Sequence, residues 1–345
     1  MRLSDCHNID DFRRLAKQRL PWPVFDYIDG AADDEITKTR NTSAFDEVDL
    51  VPDVLAGVSD IDTSRQIMGR DSALPLVLSP TALQRAFHRD GERAVARAAD
   101  KFGIWFGISS LATHSIEEIA ALTNGPKLFQ LYVHKDKGLN ASMIERCREA
   151  QFDALALTVD TIVSGKRERC LRSGFTTPPR FSASSLWSYA TRPRWTLDYV
   201  FGPKFRLPNL DGHVQEGSGK SVSIQDYFNT MLDTGMDWDT AARIRQDWGG
   251  TFALKGVMSA ADARRAVEIG ADAIWISNHG GRQLDGSRAP FDQLREIVDA
   301  VGGEIEIILE ILNDAWSGNW GFVPLTPAEV AHTGKKLKPL DVVPK

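Results

Sequence analysis

A histidine and an arginine bracket two glycines in the stretch Ser277-Asn278-His279-Gly280-Gly281-Arg282-Gln283-Leu284-Asp285. The apolar run Ala273-Ile274-Trp275-Ile276 just before it reads as a buried strand, so both side chains fall past a strand's C-terminal end. An imidazole takes up and releases a proton near neutral pH. A guanidinium holds a carboxylate through two parallel hydrogen bonds. Glycine lets the backbone approach a ligand closely. This spacing offers a base beside an anion clamp, acting on a small organic acid.

Other apolar runs also end in polar groups. In chain order these ends are Pro80-Thr81-Ala82, Ser109-Ser110, Gln130-Leu131-Tyr132, Thr158-Val159-Asp160 and Lys255-Gly256. Small hydroxyl and amide groups suit the polar edge of a flat heterocycle. A lysine beside such a ring can stabilise negative charge as the ring accepts electrons. Taken singly, Ser109 and Thr158 read more readily as structural, and Arg167 in Lys166-Arg167-Glu168-Arg169 more readily as a surface charge.

Positioning these ends requires alternating elements. The predicted strands are Leu74–Ser79, Ile104–Ser109, Lys127–Val133, Ala154–Val159, Phe252–Val257, Ala273–Ser277 and Ile305–Leu309. Between them, Gly91–Phe102, Ser115–Ala121, Leu139–Ala150, Ala260–Ile269 and Phe291–Val301 have helical periodicity. Ser115 with Glu118 makes a capping box, and Ser259 with Asp262 a weaker variant. Repeated strand–helix units without a GxGxxG after the first strand favour an α/β barrel over a dinucleotide-binding sheet. The expected fold is a (β/α)8 TIM barrel left incomplete, with a seventh strand present and an eighth not evident. Residues 1–71 read as a helical segment: Asp10 to Arg19, a break at Pro21-Trp22-Pro23, then Val24 to Ile36. The span 176–247 interrupts the barrel and is rich in Pro, Ser, Trp and Arg. It reads either as a lid packed over the barrel mouth or as a surface for a membrane or partner.

Composition narrows the class. The 345 residues are 42% hydrophobic and 26% charged, as in a globular protein with a sizeable core. A net charge of −6 gives no bulk basic character, so nucleic acid is not an expected partner. Cys6, Cys147 and Cys170 match neither a disulfide framework nor a zinc pattern, and no metal site is expected. The polar N-terminus lacks a secretory signal, and no apolar run has the length of a membrane span. The expected location is cytoplasmic, with peripheral contact at the inner membrane face left open.

The chain resembles the FMN-dependent 2-hydroxy-acid dehydrogenases and oxidases through Asp26-Tyr27, LSPTAL (78–83), FQLYV (129–133), LTVDT (157–161), KG (255–256) and SNHGGRQLDG (277–286). The long segment after residue 176 is most similar to the bacterial L-lactate and mandelate dehydrogenase branch, where it is associated with membrane attachment. The resemblance implies FMN as cofactor and a small 2-hydroxy acid as substrate, with lactate ahead of mandelate and glycolate. It implies His279 as base and Asp160 as the group that orients and stabilises it. It implies Arg282 and Arg167 as carboxylate clamps, and Tyr27 and Tyr132 as hydrogen-bond donors to the substrate. Pro80, Thr81, Ala82, Ser109, Gln130 and Thr158 would line the flavin, with Lys255 at its pyrimidine edge. The electron acceptor is a quinone, a cytochrome or oxygen, and a homo-oligomer is compatible with the family.

The resemblance stops near Leu309. The family's basic, glycine-rich turn after the seventh strand, its eighth strand and its phosphate-holding turns have no counterpart in Glu310–Lys345. The expected organisation is a barrel over 1–310 and a divergent, flexible tail over 311–345. A truncated remnant unable to retain FMN is the alternative to an active enzyme.

Overall fold

The computed structural model describes residues 2–311 apart from 53, 56, 58, 176–182 and 211–228. Helices α1 (Ile9–Arg19), α2 (Trp22–Asp29) and α3 (Ile36–Ser43) come first, followed by an antiparallel hairpin, β1 (Arg65–Ile67) and β2 (Arg70–Ser72). Strands β3 (Val77–Leu78), β4 (Trp105–Ser109), β5 (Lys127–Leu131), β6 (Ala154–Thr158), β7 (Thr251–Val257), β8 (Ala273–Ile276) and β9 (Glu306–Leu309) then form one parallel sheet in chain order.

Both faces of this sheet are buried, which is why its strands read as unbroken apolar runs. One face carries Trp105, Leu128, Ala154, Ala156, Ala253, Ala273 and Trp275, joined by Val77 and Ile308 from the two edge strands. Residues from opposite edges share one cluster, so the sheet curls around it as a TIM-type barrel wall. Two tryptophans among four alanines fill the space by pairing large with small. The hairpin supplies Ile67 and Met68 to the same cluster, and the Met68 N–H donates to Glu306 Oε2 at 2.8 Å. It plugs the end where the strands begin, leaving the opposite mouth for the polar groups. The other face, with Phe106, Ile108, Leu131, Leu155, Leu254 and Ile274, packs under the helices.

Those helices are α4 (Gly91–Phe102), α5 (Ile116–Ala120), α6 (Lys137–Glu149), α7 (Glu168–Ser173), α8 (Ala183–Ala190), α9 (Pro193–Phe201), α10 (Trp238–Trp248), α11 (Ala260–Glu268) and α12 (Pro290–Val301). The capping box at Ser115 and Glu118 forms in both directions. At Ser259 the hydroxyl accepts from the Asp262 N–H, but the Asp262 carboxylate takes the Ser259 hydroxyl instead of its N–H.

The sequence reading needs three corrections. The strand expected over Leu74–Ser79 shrinks to Val77–Leu78, because Pro75 and Pro80 have no N–H to give a ladder. One helix over Val24–Ile36 is replaced by α2 and α3, broken at Gly30–Glu35, where Asp33 and Glu35 take left-handed backbone angles. The end of the 176–247 span belongs to the barrel: α10 begins at Trp238, capped by Asp237, and leads into β7. The hairpin had not been anticipated. The expectations for residues 312–345, a missing eighth strand and a flexible tail, lie outside the described residues.

Candidate active site

Register across the sheet brings three chain-distant groups together. Thr158 on β6 pairs with Lys255 on β7, and Lys255 with Trp275 on β8. Asp160 and His279 follow just beyond β6 and β8, and meet over β7. His279 Nδ1 lies 3.0 Å from Asp160 Oδ1. The Thr161 hydroxyl donates to the same carboxylate oxygen at 2.9 Å and lies 3.1 Å from Nδ1. With Nδ1–H donating to the carboxylate, Nε2 is left as the proton acceptor, 3.4 Å from the Tyr132 hydroxyl.

Burial pushes the Asp160 carboxyl up, but the charge and hydrogen bond of His279, then Lys255 and Thr161, outweigh it and hold the pKa below the usual range. Space for this carboxylate comes from Gly256, with φ +113°, where a Cβ would stand 2.6 Å from Asp160 Cγ. The glycine sits at a register shift in β7, which accounts for the Lys-Gly pair.

His279, Gly280 and Gly281 have φ of +58°, +66° and +71°. Only the histidine has a Cβ to make that conformation costly, about 1 kcal/mol or more. Neighbours hold the turn in place. Ser277 Oγ accepts from the His279 N–H at 3.0 Å, and Asn278 Oδ1 from the Gly281 N–H at 3.0 Å. The Asn278 amide also exchanges two 2.7 Å hydrogen bonds with the buried amide of Asn41 on α3. Sequence reasoning missed Asn41, whose surroundings carry no local signal.

The two arginines converge on Tyr27. Their guanidinium carbons lie 5.2 Å (Arg282) and 5.6 Å (Arg167) from its ring centroid. The ring stacks on Phe175 at 4.5 Å and Phe87 at 6.2 Å. One edge of Arg282 is anchored: Nη1 donates to the carbonyls of Tyr27 at 2.9 Å, Ile28 at 3.3 Å and Gly30 at 2.6 Å, around the C-terminal end of α2. Its other donors have no protein partner among the described residues. Burial, then the charge of Arg167, pushes its pKa down. An anion between the guanidiniums would relieve both effects. Arg167 is set by its neighbour Arg169, which is bound by Asp26 at 3.0 Å, Asp29 at 2.9 Å and Glu35 at 3.2 Å.

At the barrel mouth the inward side chains turn polar. Gln130 Nε2 donates to Thr158 Oγ1 at 2.7 Å, and Ser109 Oγ accepts from the Leu111 N–H at 3.2 Å. Lys255, 3% exposed, donates to Ser277 Oγ and Glu310 Oε2, each at 3.1 Å, and Ser277 also donates to Glu310. Pro80, Thr81 and Ala82 form the turn beside this ring. A Cβ on Gly107 would come within 2.8 Å of Pro80 Cδ, so the turn closes directly on β4. The buried Glu92 holds the turn from behind, accepting from the N–H groups of Gln84 at 3.2 Å and Thr113 at 3.0 Å and from the Thr113 hydroxyl at 2.6 Å. This ring of buried amide, hydroxyl and ammonium groups fits the heterocycle of FMN. Any groups for its phosphate past residue 311 lie outside the described residues.

The model of the family described as FMN-dependent dehydrogenase matches residues 16–310. The chain is 38% identical over 303 residues to an L-lactate dehydrogenase of Pectobacterium atrosepticum, covering 87% of this chain and 78% of that one. Among solved structures it is similar to (S)-mandelate dehydrogenase, described as a monotopic membrane protein, with a TM-score of 0.81 and 30% identity over 97% of this chain and 93% of that one. A mandelate oxidase matches with a TM-score of 0.76 and 29% identity over 96% and 91% of the two chains. A matched region running from α1 to the end of β9 contains both the barrel wall and the groups at its mouth, and the chain belongs to the FMN-dependent dehydrogenases.

Proposed function

We propose that the chain oxidises an L-2-hydroxy acid, with L-lactate the first substrate, to the 2-oxo acid. The observation that carries this reading is the 3.0 Å His279–Asp160 pair next to two guanidiniums that share one aromatic ring. Arg282 and Arg167 bind the substrate carboxylate. Tyr27 and Tyr132 donate to its oxygens; burial, then the charge of Asp160, raises the Tyr132 pKa, so its hydroxyl stays protonated. His279 Nε2 accepts the proton that leaves the hydroxyl-bearing end, and Asp160 stabilises the imidazolium. FMN, when bound, supplies the sink for two electrons. Lys255 holds a positive charge at the edge where that ring would gain negative charge. Leu83 and Leu111, 2% and 3% exposed, form an apolar wall suited to a small alkyl group.

The same reading places the electron acceptor among quinones or cytochromes, with peripheral membrane contact through the 176–247 segment. Its support is the exposure of Leu186 (56%), Trp187 (73%) and Phe201 (81%) on α8 and α9. No helix among the described residues is long and apolar enough to cross a membrane.

Anaerobic addition of L-lactate to the FMN-loaded protein tests the chemistry. The flavin absorbance should bleach, and His279→Ala should slow bleaching about 10²–10⁴-fold with flavin still bound. Equal bleaching rates in the variant would overturn the role of His279. A parent that binds FMN but bleaches with no 2-hydroxy acid would overturn the reaction.

A further inference from the structure

A second cluster of cations lies outside the barrel mouth. A cleft of about 310 Å³ opens between the end of α1, the turn 85–89, the link 191–192 with α9, and residues 203–205. It falls at the lower end of ligand-sized cavities, about 300–1,000 Å³. Arg19, Arg85, Arg89, Arg192 and Arg194 line it, and among the described residues the one lining carboxylate is Asp198, 3.5 Å from Arg89.

Two of these guanidiniums are incompletely satisfied. Arg85 donates through Nη1 to the Lys204 carbonyl at 2.7 Å and through Nη2 to the Pro203 carbonyl. Arg192 donates through Nη1 to Thr191 at 3.2 Å. The Nε of each is buried without a hydrogen-bond partner. Buried donors of this kind are uncommon and costly. Burial lowers the Arg85 pKa against the opposing charges of Glu92 and Glu118, and among the described residues no carboxylate hydrogen-bonds to it. A multiply charged oxyanion would offer acceptors to the cleft's guanidiniums, five of which line it with one carboxylate among the described residues.

The rest of the lining mixes the polar Gln18, His88 and Thr191 with an aromatic wall of Phe87, Trp195, Tyr199 and Phe205. Trp195 is fixed by its indole N–H donating to the Ala86 carbonyl at 2.9 Å and stacks on Tyr199 at 5.0 Å. Outside the cleft, α9 exposes Leu197 (55%), Val200 (62%) and Phe201 (81%). An anionic head can therefore sit among the arginines while an apolar body lies along the helices.

We propose that this cleft is a binding site for a phosphate group carried on an organic molecule, with Arg85 and Arg192 as its principal ligands. The inference is independent of the flavin chemistry. If the phosphate belongs to a lipid headgroup, the inference also rests on the peripheral membrane contact proposed above and names the group recognised.

The probes are glycerol phosphate in solution, followed by Trp fluorescence, and vesicles of phosphatidylglycerol or of phosphatidylcholine alone, followed by co-sedimentation at fixed ionic strength. The variants are Arg85→Gln with Arg192→Gln, and Arg192→Gln with Arg194→Gln, which leaves the Arg85 contacts to 203–204 intact should the first pair misfold. Arg264→Gln with Arg295→Gln removes the same charge from exposed positions elsewhere. Saturable binding of glycerol phosphate, weakened at least tenfold by a folded cleft variant and not by the control, supports a soluble ligand. Preference for phosphatidylglycerol vesicles, lost in the cleft variant alone, supports a lipid headgroup. Equal weakening in cleft and control variants, or absence of saturable binding to either phosphate probe, would overturn the site. Binding to both vesicle types with no effect of the cleft variants would also overturn it, while leaving the membrane contact standing. Absence of binding to any vesicle, with glycerol phosphate still bound, would remove the membrane contact and keep the site.

Discussion

Asp160 and Arg282 make separable contributions to the proposed reaction, one to the base and one to substrate binding. Asp160→Asn preserves shape but removes the charge that stabilises an imidazolium at 3.0 Å. It should lower kcat about 10²-fold or more with KM little changed, measured as the rate of flavin reduction at saturating lactate. An unchanged rate would mean that the carboxylate only fills space. Arg282→Lys keeps charge but loses the planar fork, of which one edge is committed to three carbonyls. The loss of a charge-assisted hydrogen bond, about 1.5–3 kcal/mol, should raise KM roughly 10–100-fold. His279 and Arg282 were legible in the sequence because two glycines flanked by such side chains after an apolar run leave few other readings. Arg167 was not legible on its own, since Lys-Arg-Glu-Arg has the pattern of a solvated face. Its place 5.6 Å from the Tyr27 ring, beside an Arg169 bound by carboxylates at 26, 29 and 35, is a long-range arrangement that no local window contains.

Helix α3 holds the His279–Gly281 turn as an external brace. Asp285 accepts from the N–H groups of Asp34 at 3.1 Å, Ile36 at 3.3 Å and Thr37 at 2.7 Å, so a residue from the far end of the chain caps this helix. A Cβ on Gly281 would stand 2.6 Å from the Lys38 nitrogen, which fixes glycine there. Asn41 completes the brace through its paired amides with Asn278. Asn41→Ala leaves two buried amide bonds of Asn278 unmade and frees the left-handed turn to relax. The expected result is a kcat reduced about tenfold or more, and a shifted kcat pH profile, with FMN affinity unchanged. A lowered melting temperature with unchanged kcat and pH profile would make Asn41 merely structural. The strand and helix pattern was readable from Gly91 to Thr158 and from Phe252 to Leu309 because each element there keeps one period, with caps at Ser115 and Ser259 as punctuation. The break between α2 and α3 was not, because it depends on backbone contacts with residues 166 and 281, as in Asp33 N–H to the Lys166 carbonyl at 2.9 Å and Ala32 N–H to the Gly281 carbonyl at 2.9 Å. The plugging hairpin was equally hidden, since strands of three residues carry too little pattern.

Across the whole molecule, the N-terminal helices join the barrel through Leu20, Val24, Phe25 and Tyr27 in the main core and through a network of charges. Asp29 is the hub: it meets Arg13 of α1 at 2.6 Å, Lys38 of α3 at 3.5 Å and Arg169 of α7 at 2.9 Å. Burial works to raise its pKa, but Arg13, Lys38 and Arg169 prevail and lower it from 3.8 to about 2. A carboxyl whose folded pKa is depressed stabilises the fold above its unfolded value, and that stability is lost as pH falls toward the folded value. The window is therefore from about pH 4 down to about pH 2, and the side chain is only 11% exposed, so the contribution amounts to about 2 kcal/mol. Glu117 is also lowered to about 2, chiefly by Arg146, but its side chain is 53% exposed. Solvent screening should hold its contribution below about 1 kcal/mol. Urea unfolding of the parent, Asp29→Asn and Glu117→Gln at pH 7 and pH 3 separates the two carboxylates. Asp29→Asn should be destabilised at pH 7 and should lose less further stability on acidification than the parent, whereas Glu117→Gln should follow the parent within about 1 kcal/mol. His279, Arg282 and Arg167, the proposed base and clamps, all have contacts with α2, α3 or the turn between them, directly or through a neighbour. Acid unfolding should therefore disrupt all three and occur at higher pH in Asp29→Asn than in the parent. If Asp29→Asn instead loses as much stability between pH 7 and pH 3 as the parent does, other carboxylates fasten the N-terminal helices to the barrel.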